Sequence, residues 1–189
     1  MSLINSLKKL FGTAADAVKT AEQHKKKTVK FESLPLSVED LQAHAEGGLT
    51  DEFGSAALCV AALAAYPEHP DECLAMLEFL NGPENVVPSD KQFLRDRFDG
   101  KPYLMRSYFA GATPSNDYTP SKPYSVTVSA NPYSYQNENY CTLFVQSGGA
   151  DSPRQIDLRY KPSTKQWFIR GYNGLLGGIR IPTSEDKWA

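Results

Sequence analysis

The sequence predicts an α+β fold, an N-terminal helical array followed by a curved antiparallel sheet of about five strands. Three observations carry this. Apolar residues recur at three- and four-residue spacing up to about residue 100, and alternate one by one from about residue 101. The alternating segments are joined by short loops rich in Gly, Pro, Ser and Asn, too short for parallel crossovers. Helices come first and strands afterwards, which separates α+β from a βαβ arrangement. A chain of 189 residues accommodates one domain with a terminal element, read as residues 1–30 and 31–189.

The terminal element is an amphipathic helix over residues 2 to about 27. Leu3, Ile4, Leu7, Leu10, Phe11, Ala14, Val18 and Ala21 fall on one face. Lys25, Lys26 and Lys27, beside His24, suit its C-terminal end, where the last carbonyls carry partial negative charge. The stripe Leu3, Ile4, Leu7, Leu10, Phe11 and Val18 has two readings. One is contact with the domain, a protein partner or a second copy. The other is peripheral membrane contact, with Lys8, Lys9 and Lys19 at the head groups and Asp16 and Glu22 weighing against it. Residues 28–35 are expected to be a linker.

The body opens with Ser37 as N-cap and Glu39 and Asp40 in the first turn of a helix that stops at Gly47-Gly48. Thr50 and Asp51 start the next helix. Its residues 56–65 are apolar nearly all round, the mark of a helix buried on most sides. Pro67 and Pro70 bracket a break. A helix from Asp71 turns Cys73, Leu74, Met76, Leu77 and Leu80 inward and ends at Asn81-Gly82-Pro83. Ser89 caps a last helix with Phe93, Leu94 and Phe98 on its apolar face, closed by Gly100. No fixed period links these helices, which argues against a solenoid.

Residues 103–109 are expected to form the first strand. In the second, Tyr124, Val126 and Val128 alternate with polar residues. Residues 131–139 make a polar hairpin loop carrying Tyr133 and Tyr135. Residues 140–146 place Cys141, Leu143 and Val145 on one face. Ile156, Leu158 and Tyr160 alternate with Gln155, Asp157 and Arg159. A turn over 161–165 then leads to a strand over 166–171 with Trp167 and Ile169 opposite Phe168 and Arg170. Residues 178–181 read as one more extended piece.

This order, with final strands reading Leu158-Arg159 and Lys165-Gln166-Trp167, resembles the curved-sheet cone of the nuclear-transport-factor-like fold. That resemblance implies a pocket between sheet and helices. The tail also resembles a family of small bacterial proteins of unknown function. The matching text is Ala150-Asp151-Ser152-Pro153-Arg154, Leu158-Arg159, Trp167, Leu175-Leu176, Gly178-Ile179-Arg180, Pro182 and Ser184 through Trp188-Ala189, with Asn131-Pro132-Tyr133-Ser134-Tyr135 upstream. The family has Pro before the last Trp, where this chain has Lys187. The resemblance implies a bacterial, intracellular protein and carries over no functional residue.

A net charge of -2 gives no whole-molecule attraction to nucleic acid, so no nucleic-acid partner is expected. Cys59, Cys73 and Cys141 are odd in number and widely spaced, as buried thiols of a reducing compartment are. No segment is long and apolar enough to span a bilayer, and Lys8 and Lys9 interrupt the apolar N-terminus, so the expected address is cytoplasmic.

Nucleophilic catalysis needs a base near a Ser or Cys, and His24, His44 and His69 all fall in the helical half, away from the strands. His69, Asp71, Glu72 and Cys73 straddle a helix start without metal-ligand spacing, so no metal is expected. Gly148-Gly149 and Gly177-Gly178 lie between strands, not before a helix, and make no phosphate loop or cofactor site. Arg154, Arg159, Arg170 and Arg180, with Trp167 and Tyr172 nearby, are candidates for ligand or partner binding, unless Asp157, Glu185 and Asp186 neutralise them. Tyr118, Tyr124, Tyr133, Tyr135 and Tyr140 cluster in and around two loops, as aromatics do at interfaces and equally in ordinary sheets, and of these Tyr133 and Tyr135 join the arginines as binding candidates. The expected function is a non-enzymatic binding or protein-interaction module. The alternative is a small-ligand-binding protein or enzyme with a pocket in a cone-shaped sheet. A cavity in the sheet discriminates the two.

Overall fold

The computed structural model describes residues 25–188. The interaction-helix residues Leu3, Ile4, Leu7, Leu10, Phe11 and Val18 lie outside that range. The elements follow in the order β1 (Lys26–Phe31), α1 (Val38–Ala43), α2 (Glu52–Ala64), α3 (Pro70–Asn81), α4 (Pro88–Phe98), β2 (Tyr124–Ser129), β3 (Tyr140–Val145), β4 (Arg154–Lys161) and β5 (Gln166–Gly171). The strands lie in the order β1-β2-β3-β4-β5 and every neighbouring pair is antiparallel. The sheet curls into a half-barrel, so the α+β class with a curved sheet holds.

α2 organises the core. Asp51 caps it by accepting a bond from the Gly54 N–H at 2.7 Å. Every residue from Phe53 to Leu63 is buried, and the helix touches all five strands. Its many small residues, among them Gly54, Ala57, Ala61 and Ala62, let the sheet wrap closely around it. The strands meet it with Val29, Phe31, Val126, Val128, Leu143, Val145, Ile156, Leu158 and Ile169, all buried. α2 thus lies against the concave side of the sheet.

Three segments correct the expectations. Residues 26–31 are neither the end of a helix nor a linker. They form β1, because Val29 and Phe31 alternate with Thr28 and Lys30 and pair with β2 in register. Residues 103–109 are not a strand. Tyr103, Leu104, Met105, Ser107, Tyr108 and Phe109 are nearly all buried in succession, so the chain takes a 3-10 turn at Met105–Tyr108, and Phe109 alone makes an isolated bridge, to Val126. Residues 178–181 do not pair as a strand either. Leu175 and Leu176 plug the core from a 3-10 turn, and Gly178 at φ 66° redirects the chain. β1 therefore replaces the expected first strand.

The helix starts and stops also differ in detail. The Ser37 cap holds, its Oγ accepting from the Asp40 N–H at 3.1 Å. That helix ends at Ala43, before Gly47-Gly48, because the His44 ring clamps the exit: Nδ1 accepts from the Glu46 N–H at 3.1 Å and Nε2 donates to the Lys30 carbonyl at 2.9 Å. α4 starts at Pro88 rather than behind Ser89. Pro suits the first helical position, and the Asp90 carboxylate accepts from the Val87 N–H at 3.0 Å.

The outer face of the sheet carries the alternate residues. On β3, β4 and β5 these include Tyr140, Thr142, Asp157, Arg159, Phe168 and Arg170.

Candidate functional site

Tyr140, the first residue of β3, pairs with Arg159 of β4, which pairs with Phe168 of β5. The Arg159 guanidinium lies 5.5 Å from the Tyr140 ring centroid and that of Arg170 lies 5.7 Å from it. Two cations thus meet one aromatic ring, each contact contributing about 0.5–1 kcal/mol at an exposed position. Arg159 also meets Glu84 at 3.3 Å, with both side chains about half exposed. Such a pair contributes at most about 1 kcal/mol. Among the described residues Arg170 forms no ion pair.

The register of β4 against β5 explains why. Lys161 faces Gln166, Tyr160 faces Trp167, Arg159 faces Phe168 and Leu158 faces Ile169. Continued regularly, that ladder would set Arg170 opposite Asp157. Instead the register shifts between Asp157 and Leu158, and Gly171 stands opposite Asp157. Arg170 is the extra residue of a β-bulge, a device that re-aims one side chain. A methyl group at Gly171 would lie 3.5 Å from Asp157 Oδ2, so the glycine leaves the carboxylate open on that side, while Gln155 Nε2 donates to Oδ2 at 3.2 Å on another. Asp157 Oδ1 accepts from the Thr142 hydroxyl at 2.7 Å and from Gln155 Nε2 at 2.9 Å, both neutral donors.

Two clefts flank this arrangement, and Arg170 lines both. One, of about 450 Å³, includes Asn137, Glu138, Tyr140, Thr142 and Asp157. The other, of about 240 Å³, includes Asn81, Pro83, Glu84, Arg159 and Phe168. Gly82, at φ 64°, shapes the second: a side chain there would collide with the Phe168 ring. Among the described residues no histidine lines either cleft. The buried thiols are no better as nucleophiles, since burial pushes Cys59 and Cys141 up and Cys73 up to about 12. Among the described residues no three His, Cys, Asp or Glu side chains converge. The arrangement offers guanidinium donors, aromatic surface and one uncompensated carboxylate, which are means of holding a ligand.

Of the arginines expected to act together, Arg159 and Arg170 do meet. Arg154 is occupied elsewhere, donating from Nε to the Gly177 carbonyl at 3.0 Å and from Nη2 to that of Gly178 at 2.5 Å. Arg180 pairs with Asp151, and its own carbonyl accepts from Tyr118 Oη. Both fasten the C-terminal loop. Trp167 is half-buried and tilted against Tyr160 at 5.0 Å, and Tyr172 is buried in the core. Tyr133 is 70% exposed in its loop and lines neither cleft, while Tyr135 donates its hydroxyl to Glu52 at 2.9 Å. Burial, followed by the charge of Glu52, pushes the Tyr135 phenol up. Among the described residues the acids that pair with arginines are Glu84 and Asp151; Asp157, Glu185 and Asp186 do not. Sequence reasoning missed Thr142 and Glu84, and it placed Tyr140 among the clustered tyrosines without joining it to the arginines. Tyr140 carries a signal, since it occupies the polar phase of β3 directly before Cys141, where a large aromatic is left facing outward.

The sequence profile of a family described as a domain of unknown function, DUF6935, matches residues 33–183. That span holds the four described α-helices, β2 to β5 and every described residue lining the two clefts. No curated protein and no solved structure matches the chain. No described helix is long and apolar enough to cross a membrane.

Proposed function

The chain belongs to the family described as a domain of unknown function (DUF6935), and we propose that it is a non-catalytic interaction module that holds an anionic group of a partner protein on its outer sheet face. One observation carries this reading: the register shift that withholds Arg170 from Asp157 and leaves it, with Arg159, over Tyr140. A bulge that served packing alone would have no need to keep opposite charges apart. Arg and Tyr are also the residues most enriched where interfaces concentrate their binding energy. With α2 occupying the concave side, recognition falls to the exterior.

The test is a titration of capped hexaglutamate into the full chain, followed by NMR at the arginine Nε–H groups and the Tyr140 ring. The reading expects shifts confined to Arg159, Arg170 and Tyr140 and their neighbours. It expects about tenfold weaker binding in Arg170→Ala, the loss of one charge-assisted contact. Shifts spread over other lysines and arginines, or unchanged affinity in Arg170→Ala, would overturn it.

A further inference from the structure

We infer that this face also reads a positive charge, and that its partner is an extended segment carrying a basic and an acidic side chain two residues apart. This rests on the proposed anion-binding role of Arg159 and Arg170 and adds a second pole to it. Asp157 and Arg159 are alternate residues of β4 and project from the same face, about 7 Å apart at the rise of a strand. Arg170 reinforces the cationic end over Tyr140. Glu138, in the same cleft as Asp157, reinforces the anionic end. In any extended chain, side chains i and i+2 share a side and the same spacing of about 7 Å. A basic and an acidic residue two apart therefore match Asp157 and the Arg159–Arg170 pair in one alignment.

The bulge keeps these poles distinct. In an unbroken ladder Asp157 and Arg170 would be cross-strand neighbours and would satisfy each other. With Gly171 in the facing position, the space beside Asp157 is left free for an incoming side chain. The hydroxyl of Thr142 and the amide of Gln155 orient the carboxylate without neutralising it. The cleft of about 450 Å³ there has room for a lysine head and stem.

Three capped peptides test this against the full chain by NMR titration: Gly-Lys-Gly-Glu-Gly, Gly-Gln-Gly-Glu-Gly and Gly-Lys-Gly-Gln-Gly. The doubly charged peptide is expected to bind about tenfold more tightly than the acid-only peptide, the gain of one charge-assisted contact. Asp157→Asn, which keeps the shape of the side chain, should abolish the preference for the doubly charged peptide over the acid-only peptide, while the acid-only affinity should not fall, since a like charge is removed from beside Arg159. Equal affinities of the doubly charged and acid-only peptides, with Arg170 signals moving in both, would overturn the second pole while the anion site survives. Failure of the acid-only peptide to move Arg159 or Arg170 would remove the anion site and this inference with it. The patch is also self-complementary, so signals that shift on dilution of the protein alone would assign the face to a second copy and overturn the peptide partner.

Discussion

The two faces of the sheet are drawn from alternate residues of the same strands, yet they follow different rules. The inner face, from Val29 on β1 to Ile169 on β5, is apolar and closed over by α2. There, volume decides what fits. On the outer face of β3 to β5, Tyr140, Thr142, Asp157, Arg159 and Arg170 remain in contact with water, and pairing geometry decides which charges meet. A slip of one residue in β5 scarcely alters the inner packing, where Leu158 still faces Ile169. On the outside it separates an acid from a base. Stability is concentrated on one face and specificity on the other.

The largest effect that could break this comparison lies within two adjacent residues of β3. Leu143 points inward and is fully buried, while Thr142 points outward and bonds Asp157. Leu143→Ala is expected to lower stability by about 2–5 kcal/mol, the usual sum of lost transfer energy and cavity. Thr142→Ala should cost about 1 kcal/mol for one hydrogen bond. Urea unfolding of both variants measures the difference. Similar losses would mean that the outer face contributes to the core.

Alkaline pH probes the inner face collectively. Burial raises the thiols of Cys59, Cys73 and Cys141 and the phenols of Tyr108 and Tyr172. In the unfolded chain such thiols lose their protons from about pH 9 and such phenols from about pH 10. The folded chain still holds them, so above those values the unfolded state binds fewer protons and stability falls as pH rises. Below them both states are protonated and nothing is lost. Each group removes up to about 1.4 kcal/mol per pH unit within its window. The urea midpoint should therefore be flat to about pH 9 and decline beyond it, with the same slope in Arg170→Ala. A flat midpoint well above that pH would show that these groups are hydrated.

How far the sequence discloses the two faces follows from the same contrast. Alternation at Val126 and Val128, at Cys141, Leu143 and Val145, and at Ile156 and Leu158 marks the inner face directly, because burial acts residue by residue. The all-round apolar run of α2 marks a helix enclosed on every side. The segment with Tyr103 and Phe109 misleads because every residue in it but Arg106 is buried, and such runs lose the period that tells strand from turn. β1 is hidden because its Lys residues continue the helical pattern of the preceding segment. The pairing of Arg159 with Tyr140 needs strand register, which no single segment encodes. The bulge at Arg170 leaves one trace, Gly171, and a glycine closes many strands that carry no bulge at all.

A smaller effect of opposite sign sits on α2. Ser55 Oγ is buried and has no hydrogen-bond partner among the described residues, an exception to the inner-face rule that polar atoms are absent or satisfied. A buried hydroxyl without a partner costs about 1–3 kcal/mol, and Ala is the better helix former. Ser55→Ala is expected to raise stability by about 1 kcal/mol in urea unfolding. A loss instead would mean that the hydroxyl is satisfied in solution, for example by an internal water.

The smallest effect sharpens the outer face itself. Glu84 holds Arg159 across the rim of the smaller cleft at 3.3 Å, and both side chains are about half exposed. An ion pair in that setting contributes little, because water already solvates both charges and the long side chains lose freedom to meet. Glu84→Gln should therefore change stability by less than about 0.5 kcal/mol. Its effect on binding should be larger. Without the carboxylate, Arg159 is released to an incoming anion and a like charge is removed from beside it, so hexaglutamate should bind about two- to threefold more tightly, in line with the strength of an exposed charge pair. Weaker binding would show that Glu84 positions Arg159 for the ligand instead of competing with it, and the anion site would then be a triad of Glu84, Arg159 and Arg170 over Tyr140.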